Sequence, residues 1–338
     1  MSSKFECPVV EIKTLLKHPN ADTLSLTNAF AYPVVVRTQD FKVGDKAVYV
    51  PIDAIVPTTD PRFAFLGKHN RIKASRLRGI FSMGLLVPAD ADMQLGEDAS
   101  QKWGITKWEP PDEGVSNDGK LKTGGDCEHV PFFFPRYDVE NYLRYPDVFK
   151  EGEEVVVTEK IHGANSRFIW KDGRLWVGSH NTAKKPDSNN MWWRLAAIYD
   201  LEKKLQDAPN MIFYGEAYGC VQDLNYGAGP GEAYLRFFDI FDLTSGGWLD
   251  YDKFDWWCAK VGVSTVPLLY RGPWIKEVVQ AHVDGKTTVN NAHGSADHIR
   301  EGIVIKTAKE RFDQIVGRPM LKWVSEAYLT RKGGTERH

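Results

Sequence analysis

The sequence predicts an α+β fold in which a small β-barrel precedes a larger domain built on antiparallel sheet. The first observation is a series of short strand-like segments before about residue 108, separated by turn signals and prolines. The second is a stretch at residues 109–127 that is rich in Pro, Asp, Gly and Ser, as linkers are. The third is a later alternation of apolar strands with two helical patterns, without an internal repeat. We therefore divide the chain into residues 1–125, which include the linker, and residues 126–338.

The composition is that of an ordinary globular protein, with 42% hydrophobic and 26% charged residues among 338. The formal net charge is −2, so a nucleic-acid site would have to be a local basic patch. The four cysteines include no Cys-x-x-Cys pair, which favours a reducing compartment over a zinc site or a disulfide framework. The sequence shows neither a leader-like segment nor an apolar run of about 18 residues, so we expect a cytoplasmic protein without a membrane span.

The first predicted domain contains strand-like runs at 9–12, 34–36 and 47–50 and a closing segment at 82–88. Short strands with regular turns favour a small barrel, and an OB-type barrel is the candidate that also binds nucleic acid.

A basic segment lies within this domain. From Arg71 to Arg78, basic and apolar residues alternate, which predicts a strand with Ile72 and Leu77 buried. Its cations suit contacts to a phosphate backbone, and the alternative is a sheet edge guarded by solvated charges. The candidates for nucleic-acid binding are Lys68, Arg71, Lys73, Arg76 and Arg78.

A lysine at the end of a buried strand is the most informative position in the second domain. The β-branched run Val155-Val156-Val157-Thr158 leads into Glu159-Lys160-Ile161-His162-Gly163, and a second strand-like run follows at 168–170. Partial desolvation at a sheet rim lowers the pKa of a lysine amine and makes it a nucleophile. Gly163 would let backbone approach a bound ligand closely. For this segment alone, a solvated lysine in a turn is the alternative.

Four more charged residues, Glu216, Glu301, Lys306 and Lys322, lie at or next to predicted strands. Cations that converge near a nucleophilic lysine would neutralise a polyphosphate, and carboxylates would hold a divalent metal or bind sugar hydroxyls. Neither a Gly-x-x-x-x-Gly-Lys-Ser/Thr loop nor a Gly-x-Gly-x-x-Gly motif is present, which argues against a P-loop and a Rossmann cofactor site. For each residue by itself, a surface charge at a strand end is the alternative.

The order of these segments resembles the covalent nucleotidyltransferases, and most closely the nick-sealing RNA ligases that carry an OB module before the catalytic domain. The segment at 159–163 resembles their nucleotidyl-lysine motif, including its His variant. Four later segments of this chain resemble further motifs of that family: Tyr214-Gly215-Glu216, Phe237-Phe238-Asp239, residues 300–306 and Leu321-Lys322-Trp323. The resemblance implies an antiparallel-sheet nucleotidyltransferase domain, the ATP-grasp-like adenylation domain of ligases. The turn at 18–24 resembles one found in tRNA-binding OB modules.

The resemblance also implies an activity and residue roles. It implies an ATP-dependent RNA ligase that joins 3′-OH and 5′-phosphate ends through lysyl-AMP and RNA-adenylate, at nicks in duplex RNA or RNA/DNA hybrids. Lys160 would take up AMP, Lys306 and Lys322 would contact the α-phosphate, and Glu301, with Glu216 as a second ligand, would position Mg²⁺ or Mn²⁺. Glu216 would bind the ribose and Phe238 would stack on adenine. The nucleotide-binding candidates are Glu159, Ile161, Glu216, Phe238, Lys306 and Lys322.

The chain departs from the family pattern at three positions. His180 or Lys184 would replace an arginine that is usual after the second strand, Val324 stands where many relatives have a second lysine, and His162 replaces a carboxylate. Two alternative functions follow: a non-catalytic RNA-binding protein with a degenerate ligase fold, and a ligase that joins DNA or uses GTP. We expect a monomer that acts in RNA repair.

Overall fold

The computed structural model describes residues 5–108, 126–291 and 294–334 of the chain. These residues form two compact units, of which the first contains residues 5–108 with Tyr142–Pro146 and the second contains residues 126–141 with the described residues from 147 onward. Residues 109–125 of the predicted linker, which runs to residue 127, lie outside the described residues, so the domain boundary stays a prediction.

The first unit consists of short strands around one apolar core. Its described strands are β1 (Val9–Glu11), β2 (Leu16–Lys17), β3 (Leu24–Ala29), β4 (Tyr32–Arg37), β5 (Lys46–Val50), β6 (Ala54–Ile55), β7 (Ser75–Leu77), β8 (Ile80–Ser82), β9 (Leu85–Pro88) and β10 (Thr106–Lys107). They pair antiparallel in the orders β1-β5-β9 and β2-β3-β4, with the smaller pairs β6-β10 and β7-β8. The buried core joins Val9 of β1, Val48 of β5 and Val87 of β9 with Phe63 and Trp103.

The basic segment differs from its prediction. Only Ser75–Leu77 of residues 71–78 is a strand, because Arg78 (φ 48°) and Gly79 (φ 89°) already form the turn into β8. Ile72 is buried as predicted, but 39% of Leu77 is exposed, so the predicted burial of Leu77 is wrong. Among the described residues, β7 pairs only with β8, in a two-stranded hairpin, and this leaves the Leu77 side chain partly exposed.

The second unit is mainly sheet. Its described strands are β11 (Cys127–Glu128), β12 (Glu140–Asn141), β13 (Glu154–Lys160), β14 (Ala164–Lys171), β15 (Arg174–Gly178), β16 (Ala183–Lys184), β17 (Met211–Gly219), β18 (Ala233–Asp242), β19 (Gly247–Trp248), β20 (Leu268–Pro273), β21 (Asn290–Asn291), β22 (Gly294–Ser295), β23 (Gly302–Thr307) and β24 (Met320–Val324). Its described helices are α1 (Met191–Ile198), α2 (Leu201–Lys204), α3 (Tyr251–Val261), α4 (Lys276–Gln280) and α5 (Glu326–Leu329).

Two large sheets organise this unit. The seven-stranded sheet has the order β11-β16-β15-β14-β17-β18-β19, and the five-stranded sheet has the order β12-β24-β23-β13-β20. All neighbours are antiparallel except β12 and β24. A small β-strand unit followed by an antiparallel-sheet unit with few helices confirms the predicted α+β fold class.

Apolar side chains join the helices to the seven-stranded sheet. Leu195 of α1 and Phe254 of α3 share one buried cluster with Phe168, Phe213 and Phe237. Asn190 caps α1, since its side chain accepts hydrogen bonds from the first-turn backbone N–H groups of Trp192 and Trp193. None of the helices in the described part of the chain has the length and apolar character that a membrane span requires.

Candidate active site

Lys160 is the last residue of β13, and an ion pair fixes its amine. The ladder between β13 and β23 sets Lys160 opposite Gly302, which follows Glu301 directly. Lys160 Nζ lies 2.5 Å from Glu301 Oε1, and the two side chains are 23% and 9% exposed. The structure therefore brings together two residues that the sequence singled out separately.

Two glycines let the surrounding strands approach this point. A Cβ at Gly302 (φ 153°) would overlap the carbonyl oxygen of Trp323 in β24. A Cβ at Gly163 would overlap the carbonyl oxygen of Ala217 in β17. Gly163 was expected to admit a ligand, but the group that approaches it closely is the backbone beside Glu216.

Glu216 supplies a second carboxylate near Lys160. It lies on β17 opposite Asn165, which follows the lysine motif, and its side chain is half-buried. Burial raises the pKa of Glu216 to about 8; Lys160 acts in the opposite direction, and the charge of Glu301 adds to the rise. Glu301 Oε2 is buried and makes no hydrogen bond. The site thus holds two carboxyl groups beside one lysine amine.

His162 is buried beside this group. Its Nε2 lies 2.8 Å from Asp223 Oδ1, and its Nδ1 lies 2.9 Å from the Tyr328 hydroxyl and 3.8 Å from Glu301 Oε2. Burial lowers the pKa of the His162 imidazole, so the ring is neutral at neutral pH. Sequence reasoning missed Asp223 and Tyr328, because no motif or spacing connects them with residue 162.

Glu159 and Ile161, the neighbours of Lys160, are both held by protein contacts. One Glu159 carboxylate oxygen accepts a hydrogen bond from the Thr287 hydroxyl, and the other accepts from the Thr288 backbone N–H and hydroxyl, each at 2.7 Å. Ile161 is buried in an apolar cluster with Tyr218 and Tyr226. These contacts anchor the strand on both sides of the lysine.

Phe238 is the extra residue of a β-bulge. The ladder between β17 and β18 changes register so that Tyr214 opposes Asp239 and Gly215 opposes Phe237, which leaves Phe238 between them. Bulges near binding sites commonly redirect a side chain. The Phe238 ring is half-buried, and its centroid lies 4.7 Å from that of Tyr137.

Lys306 belongs to a second buried cluster. It opposes Val156, at the far end of the β13–β23 ladder from Lys160. Its Nζ lies 3.4 Å from Asp239 Oδ1 and donates to the Phe238 carbonyl oxygen at 3.3 Å. Asp239 Oδ2 accepts from the Tyr137 hydroxyl at 2.6 Å and pairs with Arg318 at 2.7 Å. The structure therefore groups Lys306 with Phe238 and not with the Lys160–Glu301 pair.

Lys322 lies between these two groups. It is a half-buried residue of β24 opposite Val304, and Val324 opposes Gly302. Opposite residues of a ladder share a face, and faces repeat every second residue. Lys322 is therefore on the same face of the five-stranded sheet as Lys160, closer in register to Lys160 than Lys306 is.

The residues proposed to replace a missing arginine have different surroundings. Lys184 is buried, with Nζ 3.2 Å from Asp126 Oδ2, whereas His180 is half-buried, with Nε2 3.4 Å from Asp138 Oδ1. Arg167 was not identified from the sequence. It is buried and donates to the carbonyl oxygens of Ser179 and Phe134, at 2.7 and 2.6 Å.

In the first unit, the nucleic-acid candidates Lys68, Lys73, Arg76 and Arg78 are exposed. Arg71 differs, because it pairs with Asp53 at 2.6 Å and its guanidinium lies 3.5 Å from the centroid of the Trp108 ring.

The turn at 18–24 anchors the hairpin that carries two of these cations. His18 is buried, and its Nε2 lies 3.1 Å from the Leu77 carbonyl oxygen, while the Asn20 amide donates to the Arg78 carbonyl oxygen at 3.1 Å.

Comparisons with known proteins agree with this architecture. A sequence model of the RNA ligase family matches residues 153–324, half of the chain, and an OB-fold domain model matches residues 7–89. No curated protein matches the sequence.

The similar solved structures include variants of a Naegleria gruberi RNA ligase. One contains ATP and Mn (24% identity, TM-score 0.79, 96% of this chain and 98% of that chain), and one contains AMP and Mn (24%, 0.79, 96% and 97%). A third is an apo form (24%, 0.80, 97% and 98%). The family match and the site together show that this chain belongs to the RNA ligase family, as the motif order predicts.

Proposed function

We propose that this chain is an ATP-dependent RNA ligase that joins 3′-OH and 5′-phosphate ends through lysyl-AMP and RNA-adenylate. The observation that carries the proposal is the position of Lys160 at the end of β13, paired with Glu301 and close to Glu216. Similar ligases have been solved with ATP or AMP and Mn, which supports ATP as the nucleotide and a divalent cation as its companion.

The first chemical step belongs to Lys160. Its Nζ attacks the α-phosphorus of ATP, a P–N bond forms, and the bond to pyrophosphate breaks. An amine attacks only without its proton, and the ion pair with Glu301 favours the ammonium form, so this pair opens before attack. Lys322, on the same sheet face, supplies positive charge toward the α-phosphate.

Two further transfers complete the reaction. The 5′-phosphate of the RNA attacks the lysyl-AMP, which returns Lys160 to its free form and leaves the RNA 5′ end adenylated. The 3′-OH then attacks that 5′-phosphate and releases AMP.

The two carboxylates fit a hard divalent cation such as Mg²⁺ or Mn²⁺. Glu301 Oε2 is a buried oxygen without a hydrogen bond, and Glu301 raises the pKa of Glu216, so a cation would relieve their mutual repulsion. No group of three or more His, Cys, Asp or Glu side chains in the described residues could hold a metal. This arrangement suits an ion that binds one or two carboxylates together with substrate phosphates. When bound, the ion would neutralise phosphate charge and compete with Lys160 for Glu301.

The remaining candidates bind the nucleotide or support the site. In this proposal, Glu216 also accepts hydrogen bonds from the ribose hydroxyls, and Phe238 offers an aromatic face for adenine. The contacts of Lys306 favour support of Phe238 over direct contact with a phosphate. Glu159 and Ile161 keep the lysine strand in place.

RNA is the polynucleotide, and the exposed cations Lys68, Lys73, Arg76 and Arg78 are its proposed contacts in the first unit. Arg71 contributes less, because Asp53 and Trp108 already engage it. A nick in duplex RNA or an RNA/DNA hybrid is the proposed substrate, since the motif order resembles nick-sealing ligases. Free cysteines at all four positions suit the reducing conditions of the cytoplasm, and the monomeric state stays a prediction.

The test is incubation with α-³²P-labelled ATP and Mg²⁺ or Mn²⁺, followed by denaturing electrophoresis. We expect a labelled band for the wild type, none for Lys160→Ala, and an unchanged band for Lys253→Ala, which removes an exposed lysine of α3. A labelled Lys160→Ala band would overturn the assignment. Intact mass first establishes whether the purified chain already carries AMP.

Two comparisons separate this proposal from its alternatives. Labelled GTP tests the nucleotide, and nicked duplexes with RNA or DNA 3′-OH strands test the polynucleotide. RNA binding without labelling by either nucleotide would favour the non-catalytic protein.

A further inference from the structure

Four side chains form a closed ring of contacts around His162 of the lysine motif, namely His162, Asp223, Arg331 and Tyr328. His162 Nε2 meets Asp223 Oδ1 at 2.8 Å, and Arg331 holds both oxygens of Asp223, with Nε at 2.8 Å from Oδ2 and Nη2 at 3.1 Å from Oδ1. The Arg331 guanidinium lies 3.6 Å from the Tyr328 ring centroid and donates to the Tyr328 carbonyl oxygen at 2.7 Å. The Tyr328 hydroxyl lies 2.9 Å from His162 Nδ1, and this contact closes the ring.

The donors and acceptors of these four side chains determine the tautomer of His162. Asp223 offers only acceptors while Arg331 binds it, so the proton of the neutral imidazole is on Nε2 and points to Asp223. Nδ1 then accepts from the Tyr328 hydroxyl. Every donor in the ring faces an acceptor, which fixes both the tautomer and the orientation of the imidazole.

The ring also connects the C-terminal segment with the site. Ser325 donates its backbone N–H to the Glu301 carbonyl oxygen at 2.9 Å, and its hydroxyl accepts the Tyr328 N–H at the start of α5. Tyr328 and Arg331 follow residue 324, where the match to the RNA ligase family ends. Residues outside the matched segment thus contact both Glu301 and His162.

We propose that Asp223, Tyr328 and Arg331 are positioning residues that hold His162 against the Lys160–Glu301 pair. Residues 325–331 are then part of the active site. This inference rests on the proposed function, because the quantity that it explains is the rate of lysine adenylation.

The first experiment compares adenylation rates of full-length variants over a range of ATP concentrations. Arg331→Ala, Asp223→Asn and Tyr328→Phe should each lower the maximal rate, on the order of tenfold or more, with little change in KM. Arg331→Lys should recover part of the rate, since an ammonium still meets Asp223 but loses the two-point contact. The matched control is Arg271→Ala, which removes another two-point Arg–Asp contact, to Asp252 on an exposed surface, and should leave the rate unchanged.

A double-mutant cycle tests whether Arg331 acts through His162. If it does, Arg331→Ala should cause little further loss in a His162→Ala background. An equal fold-loss in both backgrounds would overturn the proposal.

A spectroscopic measurement separates positioning from general stability. In ¹⁵N-labelled wild type we expect NMR signals of a neutral His162 protonated at Nε2, and Asp223→Asn should shift them while the thermal unfolding midpoint stays within a few degrees. If the His162 signals do not shift in Asp223→Asn, the four-residue network is contradicted. It is also contradicted if the adenylation rate falls only in variants whose unfolding midpoint falls. If wild-type protein shows no adenylation at all, the proposed function fails, and the NMR result still reports whether the ring exists.

Discussion

Lys160 owes its surroundings to strand register. Its partner Glu301 comes much later in the chain, and the two meet because β13 and β23 pair with Lys160 opposite Gly302. A charged group at a buried strand end is rarely found without a partner, and Glu301 is the partner of Lys160. If Lys160 is the nucleophile, as proposed, this contact has to open before the amine can attack.

Gly163→Ala tests the close approach beside Lys160. The new Cβ would overlap the Ala217 carbonyl oxygen, which is backbone and cannot move aside as a flexible side chain does. We expect the free energy of unfolding to fall by about 1–3 kcal/mol in urea titrations. Adenylation should fall as well, because Glu216 moves with its strand. Gly247→Ala, where an added Cβ meets nothing within 4 Å, should change stability by less than about 0.5 kcal/mol. Equal effects at both glycines would contradict the explanation.

The sequence predicted the charged residues at the strand ends but not all of the side chains that contact the site. The apolar run before Lys160 predicted β13, and the ordered motifs predicted that Glu216 and Glu301 belong with it. Asp223, Tyr328 and Arg331 gave no signal, because they reach His162 only after distant segments fold together. Likewise, the sequence alone does not reveal that Asp239 lies beside Lys306.

Among the elements, the hairpin β7-β8 depends on support from outside itself. Isolated two-stranded hairpins are marginally stable in water. This one is fastened where the His18 imidazole and the Asn20 amide contact the Leu77 and Arg78 carbonyl oxygens. The alternating pattern of residues 71–78 predicted a strand but not its short length, because it does not show where the chain turns.

Loss of this anchor should weaken RNA binding without affecting adenylation. His18→Ala frees the Leu77 carbonyl and loosens the turn that carries Arg76 and Arg78. We expect lower affinity for nicked duplex RNA, and Arg76→Ala with Arg78→Ala should reduce the salt dependence of log K by roughly 0.9 per lost phosphate contact. Fluorescence anisotropy at several salt concentrations measures both. Lys42→Ala, an exposed lysine of the same unit, is the control, and an unchanged salt slope in the Arg76/Arg78 variant would exclude these arginines as phosphate contacts.

At the scale of the whole molecule, the residues proposed for lysine adenylation and those proposed for RNA binding belong to different units. The lysine and both carboxylates lie in the second unit, and the exposed cations of the basic segment lie in the first. Tyr142–Pro146 belongs to the first unit although it follows the predicted boundary. Point variants are therefore a cleaner test of this division than removal of residues 1–125, which would leave that segment without its partners.

Global stability should depend on pH through Asp239. Burial acts to raise the pKa of Asp239, but Arg318 and Lys306 outweigh it and hold the pKa below 3.8. A lowered carboxyl pKa contributes stability above the unfolded value that is lost as the pH falls through the folded value. Asp239→Asn should therefore lower the free energy of unfolding by about 3 kcal/mol at neutral pH, since it removes the carboxylate that pairs with buried Lys306, whereas Arg318 keeps its ion pair with Glu310.

The difference between wild type and Asp239→Asn should shrink as urea titrations move from neutral pH to below 3.8. Asp252→Asn, which breaks an exposed pair with Arg271, should cost less than about 1 kcal/mol. If the loss of unfolding free energy in Asp239→Asn does not vary with pH, the charge of the Asp239 carboxylate is not the source of the stabilisation.

The position of β13 between β20 and β23 has a consequence for synthesis on the ribosome. Translation delivers β13 long before either neighbour, since Leu268–Pro273 and Gly302–Thr307 are made much later. During that interval the nascent chain carries Val155, Val156 and Val157 without the strands that bury them. Exposed apolar strands bind chaperones or aggregate. Yield in the cell should therefore depend on chaperone supply during translation.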